Sequence, residues 1–186
     1  MPKLTQVKET KRGRYALFFD GEFAFSLDED TFAMAGLHTG DELEEWQIHD
    51  LQTKSDTRKA VDKAMDLLAL RDHAAGELYQ KLCRSFDPHS AAAAVAKMQE
   101  LNLLDDADFA RRRAAELLRK RKSRRAILDD LHAKGIDRGA AAEAVEALFA
   151  QSEEDEEENP ELANARALVE RHYAAKLAQG KWQQVA

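Results

Sequence analysis

The chain has 186 residues, 44% of them apolar and 34% charged, with only 8 glycines and 3 prolines. That length fits one or two domains, and a composition rich in Ala, Leu, Glu, Lys and Arg favours helices and excludes a turn-rich all-β barrel. The net charge of −7 is uneven: residues 1–52 carry −6, residues 53–150 carry +3 and residues 151–186 carry −4. One cysteine, Cys83, cannot form an internal disulfide, which fits a reducing cytoplasm. No apolar run reaches the ~18 residues of a membrane-spanning helix. Met1-Pro2-Lys3-Leu4-Thr5 lacks the apolar stretch of a signal peptide.

The first elements read as strands. Val7 to Thr10 is one candidate, and Arg14-Tyr15-Ala16-Leu17-Phe18-Phe19 is a second. Asp20-Gly21 then signals a type I′ hairpin, because glycine tolerates positive φ. Glu22 to Leu27 alternates, with Phe23, Phe25 and Leu27 expected on one face. Asp28 is placed to cap a short helix running to Ala35, and Gly36 to end it. Residues 41–52 lean to another short helix containing Leu43, Trp46 and Ile48. Residues 1–52 thus read as a small β-rich N-terminal module.

After Ser55-Asp56-Thr57 the spacing becomes helical. Ala60, Ala64, Leu67, Leu68 and Arg71 predict one helix, Leu78, Leu82 and Phe86 a second, and Ala92, Val95, Met98 and Leu101 a third. Asp87-Pro88 supplies an N-cap and a proline at the first helical position. The trio then recurs. Ala64, Leu67, Leu68 and Arg71 match Ala114, Leu117, Leu118 and Arg121 at an offset of 50 residues. Leu78 and Leu82 match Ile127 and Leu131 at 49, and Phe86, Asp87, Val95 and Met98 match Ile136, Asp137, Val145 and Leu148 at 50. Ser123 and Asp137 cap the later helices and Gly135 stops one. Residues 152–161 read as an acidic, solvated linker. Ala165, Leu168 and Val169 then open a third copy at an offset of 51. The expected domains are therefore 1–52, a three-helix repeat at 56–104, a second at 105–151, the linker, and an incomplete third repeat at 162–186.

The segment 111–125 has the strongest chemical character. Arg111, Arg112, Arg113, Arg119, Lys120, Arg121, Lys122, Arg124 and Arg125 stand against Glu116 alone, net +8. At about 100° per residue, Ala110, Ala114, Leu117 and Leu118 share one face, which leaves most of the cations to solvent. Such a patch suits nucleic-acid phosphates or an acidic protein surface equally. Tyr79 beside Lys81 is a candidate for stacking on a base, against the plainer reading of a half-buried core tyrosine. Asp105-Asp106-Ala107-Asp108 and Asp28-Glu29-Asp30 read as helix N-termini rather than metal sites. The histidines at 38, 49, 73, 89, 132 and 172 are scattered, and Cys83 has no histidine at catalytic or zinc spacing, so it reads as a small packing residue. Neither G-x-x-x-x-G-K-[ST] nor G-x-G-x-x-G occurs. No enzyme, metal or cofactor is expected.

The leucine pair in Ala64-Met65-Asp66-Leu67-Leu68-Ala69-Leu70-Arg71 is followed by Glu77-Leu78-Tyr79-Gln80-Lys81-Leu82. Asp105-Asp106-Ala107-Asp108-Phe109-Ala110 comes next, and then Lys134-Gly135-Ile136. Together these motifs resemble the RecX family of bacterial recombinase regulators over residues 56–150, and more weakly over 162–186. Some members also carry a β-rich N-terminal module, which residues 1–52 resemble. His73 stands where the family often has a helix cap, leaving Asp72 as the candidate. The third repeat of the family continues through two more helices, and Gly180 to Ala186 looks like the entry to that continuation, cut short. The resemblance implies tandem three-helix repeats in an elongated, curved array behind the β-rich module. It also implies a cytoplasmic monomer whose partner is the RecA filament on single-stranded DNA. There it would bind along the groove and dampen filament extension, ATP hydrolysis, strand exchange and the self-cleavage of the repressor of the DNA-damage response. The alternative is a general DNA-binding helical-repeat protein with no filament partner. A structural adaptor that reads an acidic protein is a third option.

Overall fold

Asp20 and Gly21 both adopt positive φ, 48° and 88°, the pair of conformations that a type I′ turn requires. They fold Arg14–Phe19 (β2) onto Glu22–Asp28 (β3). Leu4–Glu9 (β1) pairs antiparallel along the other side of β2, giving a sheet in the order β1-β2-β3. The computed structural model describes residues 1–155 and 160–178. β1 begins earlier than the sequence suggested because Leu4 is buried and its N–H donates to Asp41 O at 2.8 Å.

The expected alignment of Phe23 with Phe25 and Leu27 does not form. Leu17 pairs with Phe25 but Phe18 pairs with Phe23, so Ala24 is an extra residue in β3. A bulge of this kind shifts the two-residue period by one and turns what precedes it to the opposite face. Phe25 and Leu27 therefore join Leu4, Leu17, Phe19, Leu43 and Leu51 in the core, while Phe23 is 60% exposed.

Glu29–Ala35 (α1) starts at Asp28, whose Oδ1 accepts the Thr31 N–H at 3.0 Å, and ends at Gly36 in the left-handed region. Glu45–Leu70 (α2) is a single helix of 26 residues. It replaces the expected short helix and the fresh start after Ser55-Asp56-Thr57. Glu44 and Gln47 cap its start reciprocally, and no Gly or Pro interrupts it. Ser55, which precedes the expected helix, lies buried inside α2 and donates from Oγ to Ser26 O of β3.

Ala75–Leu82 (α3), Pro88–Glu100 (α4), Asp106–Arg119 (α5), Arg124–Ala133 (α6), Arg138–Asp155 (α7) and Pro160–Ala178 (α8) complete the described helices. The protein is thus mainly α, with three-helix repeats following a small antiparallel sheet. It divides into two compact units, Met1–Asp72 with Leu78–Leu104, and His73–Glu77 with Asp105–Ala186.

In the first unit Ala60, Ala64, Leu78, Leu82, Ala91, Ala94, Val95 and Met98 are buried. In the second, Ala110, Ala114, Ile127, Leu131, Ala141, Ala144, Val145 and Phe149 are buried with Leu117 and Ile136. Each fully buried Leu or Ile contributes about 2 kcal/mol. Five alanine and valine pairs 50 residues apart, Ala60/Ala110, Ala64/Ala114, Ala91/Ala141, Ala94/Ala144 and Val95/Val145, are buried in both copies. On α8 the pattern differs: Ala165, Leu168 and Val169 are exposed, unlike the buried Ala114 and Leu117. α7 continues to Asp155, so the acidic run begins within a helix. Residues 156–159 of the expected linker, and Gly180 to Ala186, lie outside the described residues.

Candidate partner-binding surface

α5 begins at Asp105, whose Oδ1 accepts the Asp108 N–H at 2.9 Å. Asp106 does something the sequence did not suggest: its Oδ1 accepts the Ala75 N–H at 2.8 Å and so caps the start of α3. His73 is buried, with Nδ1 2.9 Å from Glu77 Oε2, and Lys134 Nζ donates to Glu77 Oε1 at 2.7 Å.

The basic residues of 111–125 separate into groups with different surroundings. Arg113 is half-buried and forks onto the α6 carboxylate of Asp130, with Nε 2.8 Å from Oδ2 and an Nη 2.9 Å from Oδ1. Its other Nη donates to Glu116 at 2.9 Å. The Asp130 hydrogen bond pushes the Arg113 guanidinium further above its already high pKa, and the same bond holds the Asp130 carboxyl below the usual carboxylate range. Arg113 is therefore the clamp between α5 and α6. Arg124 has a second structural task, with its guanidinium 4.8 Å above the Phe149 ring.

Arg111 and Arg112 both reach back to Asp108, at 3.4 and 2.7 Å. Lys120 pairs with Glu116, whose carboxyl it holds low together with Arg113. Arg125 lies 4.0 Å from Asp129 and is almost fully exposed. Pairs exposed to this degree contribute only about 0–1 kcal/mol and exchange readily with an incoming partner. Within 111–125 itself nine cations stand against Glu116 alone. In the folded protein Asp108, Asp129 and Asp130 also supply carboxylates, from outside the segment or from the next helix.

Arg119, Arg121 and Lys122 are exposed, with no acidic side chain within ion-pair distance among the described residues. They sit at the turn between α5 and α6. Lys122 N–H donates to Leu117 O at 3.1 Å and Arg121 N–H to Leu118 O at 2.8 Å, closing the end of α5. Arg121 takes φ of 58° to do so. The corresponding left-handed residues after α4 and α6 are Asn102 and Gly135, the two types that tolerate this conformation best. An arginine there is a costlier choice, and it puts a cation at the apex of the turn.

Tyr79 and Lys81, on the part of α3 that belongs to the first unit, are both half-buried. The neighbouring Cys83 thiol holds the Tyr79 hydroxyl above the ordinary tyrosine pKa. Cys83 is exposed rather than packed, because Leu78 and Leu82 define the buried stripe of α3.

Among the described residues no helix is long and apolar enough to cross a membrane. Residues 105–145 match the family described as RecX, second three-helix domain. A protein named regulatory protein RecX from Caldanaerobacter subterraneus is 27% identical over 151 residues, 81% of this chain and 77% of that protein. One of the same name from Lactobacillus gasseri is 31% identical over 180 residues, 96% of this chain and 65% of that protein. The chain spans only about half to two thirds of the length of most such relatives. A crystal structure of regulatory protein RecX superposes with a TM-score of 0.67 at 21% identity, covering 100% of this chain and 90% of that one. RecX from Lactobacillus salivarius gives 0.57 at 18%, covering 70% and 82%. Repeats, motifs and relatives agree: the chain belongs to the RecX family.

Proposed function

We propose that this chain regulates the RecA recombinase, binding along the groove of the filament that RecA forms on single-stranded DNA. There it restrains extension, ATP hydrolysis, strand exchange and stimulated repressor cleavage. It acts in the cytoplasm as a monomer, by binding alone, with no cofactor and no chemistry of its own. The observation that carries this reading is the cationic α5–α6 turn. Arg119, Arg121 and Lys122 are exposed there, around an arginine held in a left-handed conformation, within the residues that match the family. A non-glycine residue in the left-handed region at a charged, exposed turn is the kind of backbone outlier that supports a contact role. Flexible cations without local partners meet phosphates or carboxylates with little desolvation cost. Arg111, Arg112, Lys120 and Arg125 extend the surface by releasing weak local pairs, while Arg113 and Arg124 hold it in shape. Tyr79 and Lys81 play no part in this reading.

The test is single-stranded-DNA-dependent ATP hydrolysis by the cognate recombinase, with the chain titrated below equal stoichiometry. Hydrolysis is expected to fall at a small fraction of one chain per recombinase protomer. The variant R119E/R121E/K122E should lose that effect with unchanged helical circular dichroism, and full inhibition by the variant overturns the assignment of the turn. If the wild-type chain has no effect at equal stoichiometry yet binds free DNA with steep salt dependence, the general DNA-binding reading replaces the filament one.

A further inference from the structure

The N-terminal sheet has a second face, on which Ala16 is buried, Phe18 half-buried and Phe23 exposed. Strand register builds it in rows: Gln6, Phe18 and Phe23 lie side by side, and Lys8, Ala16 and Ser26 form the next row. The bulge at Ala24 brings Phe23 into the first row without removing Phe25 or Leu27 from the core. The Phe18 and Phe23 rings meet edge to face, with centroids 5.7 Å apart. Phe23 is 60% exposed, and Lys8 Nζ stands 5.1 Å from the Phe18 centroid. Bulges re-aim side chains, and here the re-aimed side chain is a large ring turned towards water.

Charge is uneven along the sheet: Lys8 shares this face, Lys11 and Arg12 lie in the β1–β2 turn, and Asp20 and Glu22 flank the end that holds Phe18 and Phe23. Residues 1–14 hold Lys3, Lys8, Lys11, Arg12 and Arg14 against Glu9, net +4, whereas every charged residue from 20 to 50 is acidic. Lys8, Lys11 and Arg12 are exposed and have no ion pair among the described residues. Arg14 is committed within the fold, donating to Ser26 and to Ser55 of α2.

We propose that this outer sheet face is a contact surface for single-stranded nucleic acid. Phe23, backed by Phe18, takes a base, Lys8 takes a neighbouring phosphate, and Lys11 and Arg12 in the β1–β2 turn take phosphates further along the strand. A flat ring at one end of the face, with Lys8 beside it and Lys11 and Arg12 further along, fits a base and the phosphates that follow it in an unpaired strand. A duplex hides its base faces. A protein partner would favour a continuous apolar patch, whereas Gln6, Lys8 and Ser26 surround these rings. The surface is separate from the α5–α6 turn and does not depend on the filament reading.

The test titrates a fluorescently labelled oligothymidylate with the full chain at low salt, alone and in the R119E/R121E/K122E background, and follows anisotropy. Because Phe23 is exposed, Phe23→Ala should leave the fold intact, checked by circular dichroism. It should weaken binding about fivefold or more, with Phe23→Trp restoring it and Lys8→Glu weakening it as well. Affinity for a duplex of the same length should not respond to F23A. Photocrosslinking of a 5-iodouracil oligonucleotide should label the peptide that contains Phe18 and Phe23. Wild-type affinity in F23A overturns the proposal, and so do crosslinks confined to other peptides. A change in the sedimentation of the chain by itself in F23A would also overturn it, assigning the face to contact between copies. No recombinase is present, so failure of the filament reading leaves these outcomes unaffected.

Discussion

The two three-helix sets share their apolar positions and differ in their charges. Ala64 and Ala114, Leu82 and Leu131, and Val95 and Val145 are buried alike. Around them, Asp62, Ala69, Leu70 and Asp72 in the first set stand where the second has Arg112, Arg119, Lys120 and Lys122. Leu70 ends α2 at 82% exposure, and its counterpart Lys120 follows the last residue of α5 in a cluster of cations. The scaffold is duplicated while the surface is not. Residues that repeat report on packing, and residues that break the repeat report on what each copy contacts.

The largest expected effect concerns a contact with no counterpart in the other set. A Cβ on Gly76 would lie 2.7 Å from Gly135 Cα, so backbone would have to move. Gly76→Ala should cost about 3 kcal/mol by denaturant unfolding. Arg125→Ala, at the equivalent position in α6, should stay within about 0.5 kcal/mol. Similar costs for both would mean that the sets pack more alike than the Gly76–Gly135 approach implies.

Next is the α5–α6 clamp, since Lys63 and Lys81 occupy the equivalent places in the first set. Asp130→Asn should cost about 2 kcal/mol, because Arg113 loses its bidentate partner in a half-buried setting. The Asp130 pKa is lowered from 3.8 by Arg113. Its contribution is therefore present above the normal carboxylate range and is lost as pH falls through the lowered value. Stability curves of wild type and D130N should converge in acid; a gap that persists there would show that the bridge is not the source.

Third, Asp87 and Asp137 cap α4 and α7 through the same type of bond, at 2.9 Å to the His89 N–H and 2.8 Å to the Gly139 N–H. Alanine at either should cost about 1 kcal/mol, and near-equality is the result that supports equivalence of the sets. The smallest effect has the opposite sign. Arg121→Gly should stabilise the protein by about 0.5–1 kcal/mol, because glycine takes φ of 58° more easily. Inhibition of the recombinase should weaken at the same time. A variant that is both more stable and fully active would remove the argument for contact at that turn.

These residues also show how far sequence reasoning reaches. Helix periodicity, the Asp20-Gly21 turn and the caps at Asp28, Asp87, Asp105, Ser123 and Asp137 were legible, because each depends on neighbours within a turn or two. The bulge at Ala24 was not, because strand alternation carries no mark of where register slips. The unity of α2 was hidden by Ser55-Asp56-Thr57, cap-forming residues that here lie within a helix fastened to β3. The cationic segment was legible as a segment. Its division into clamp, loose pairs and open turn was not, because Asp130 meets Arg113 across 17 residues. Gly76 meets Gly135 across a longer stretch still.

Finally, α2 governs how the first unit can be taken apart. At 1.5 Å per residue it is a rod about 39 Å long. Its N-terminal part carries Leu51 into the sheet core and Ser55 onto β3, and its C-terminal part carries Ala60 and Ala64 into the helical core. A deletion at residue 52 would cut through the rod, and a deletion before Glu45 would strip Leu51 of its cover. The β-rich module is therefore better silenced by surface substitution than by truncation. Loss of activity in a shortened chain would report a damaged helix before it reported a missing module.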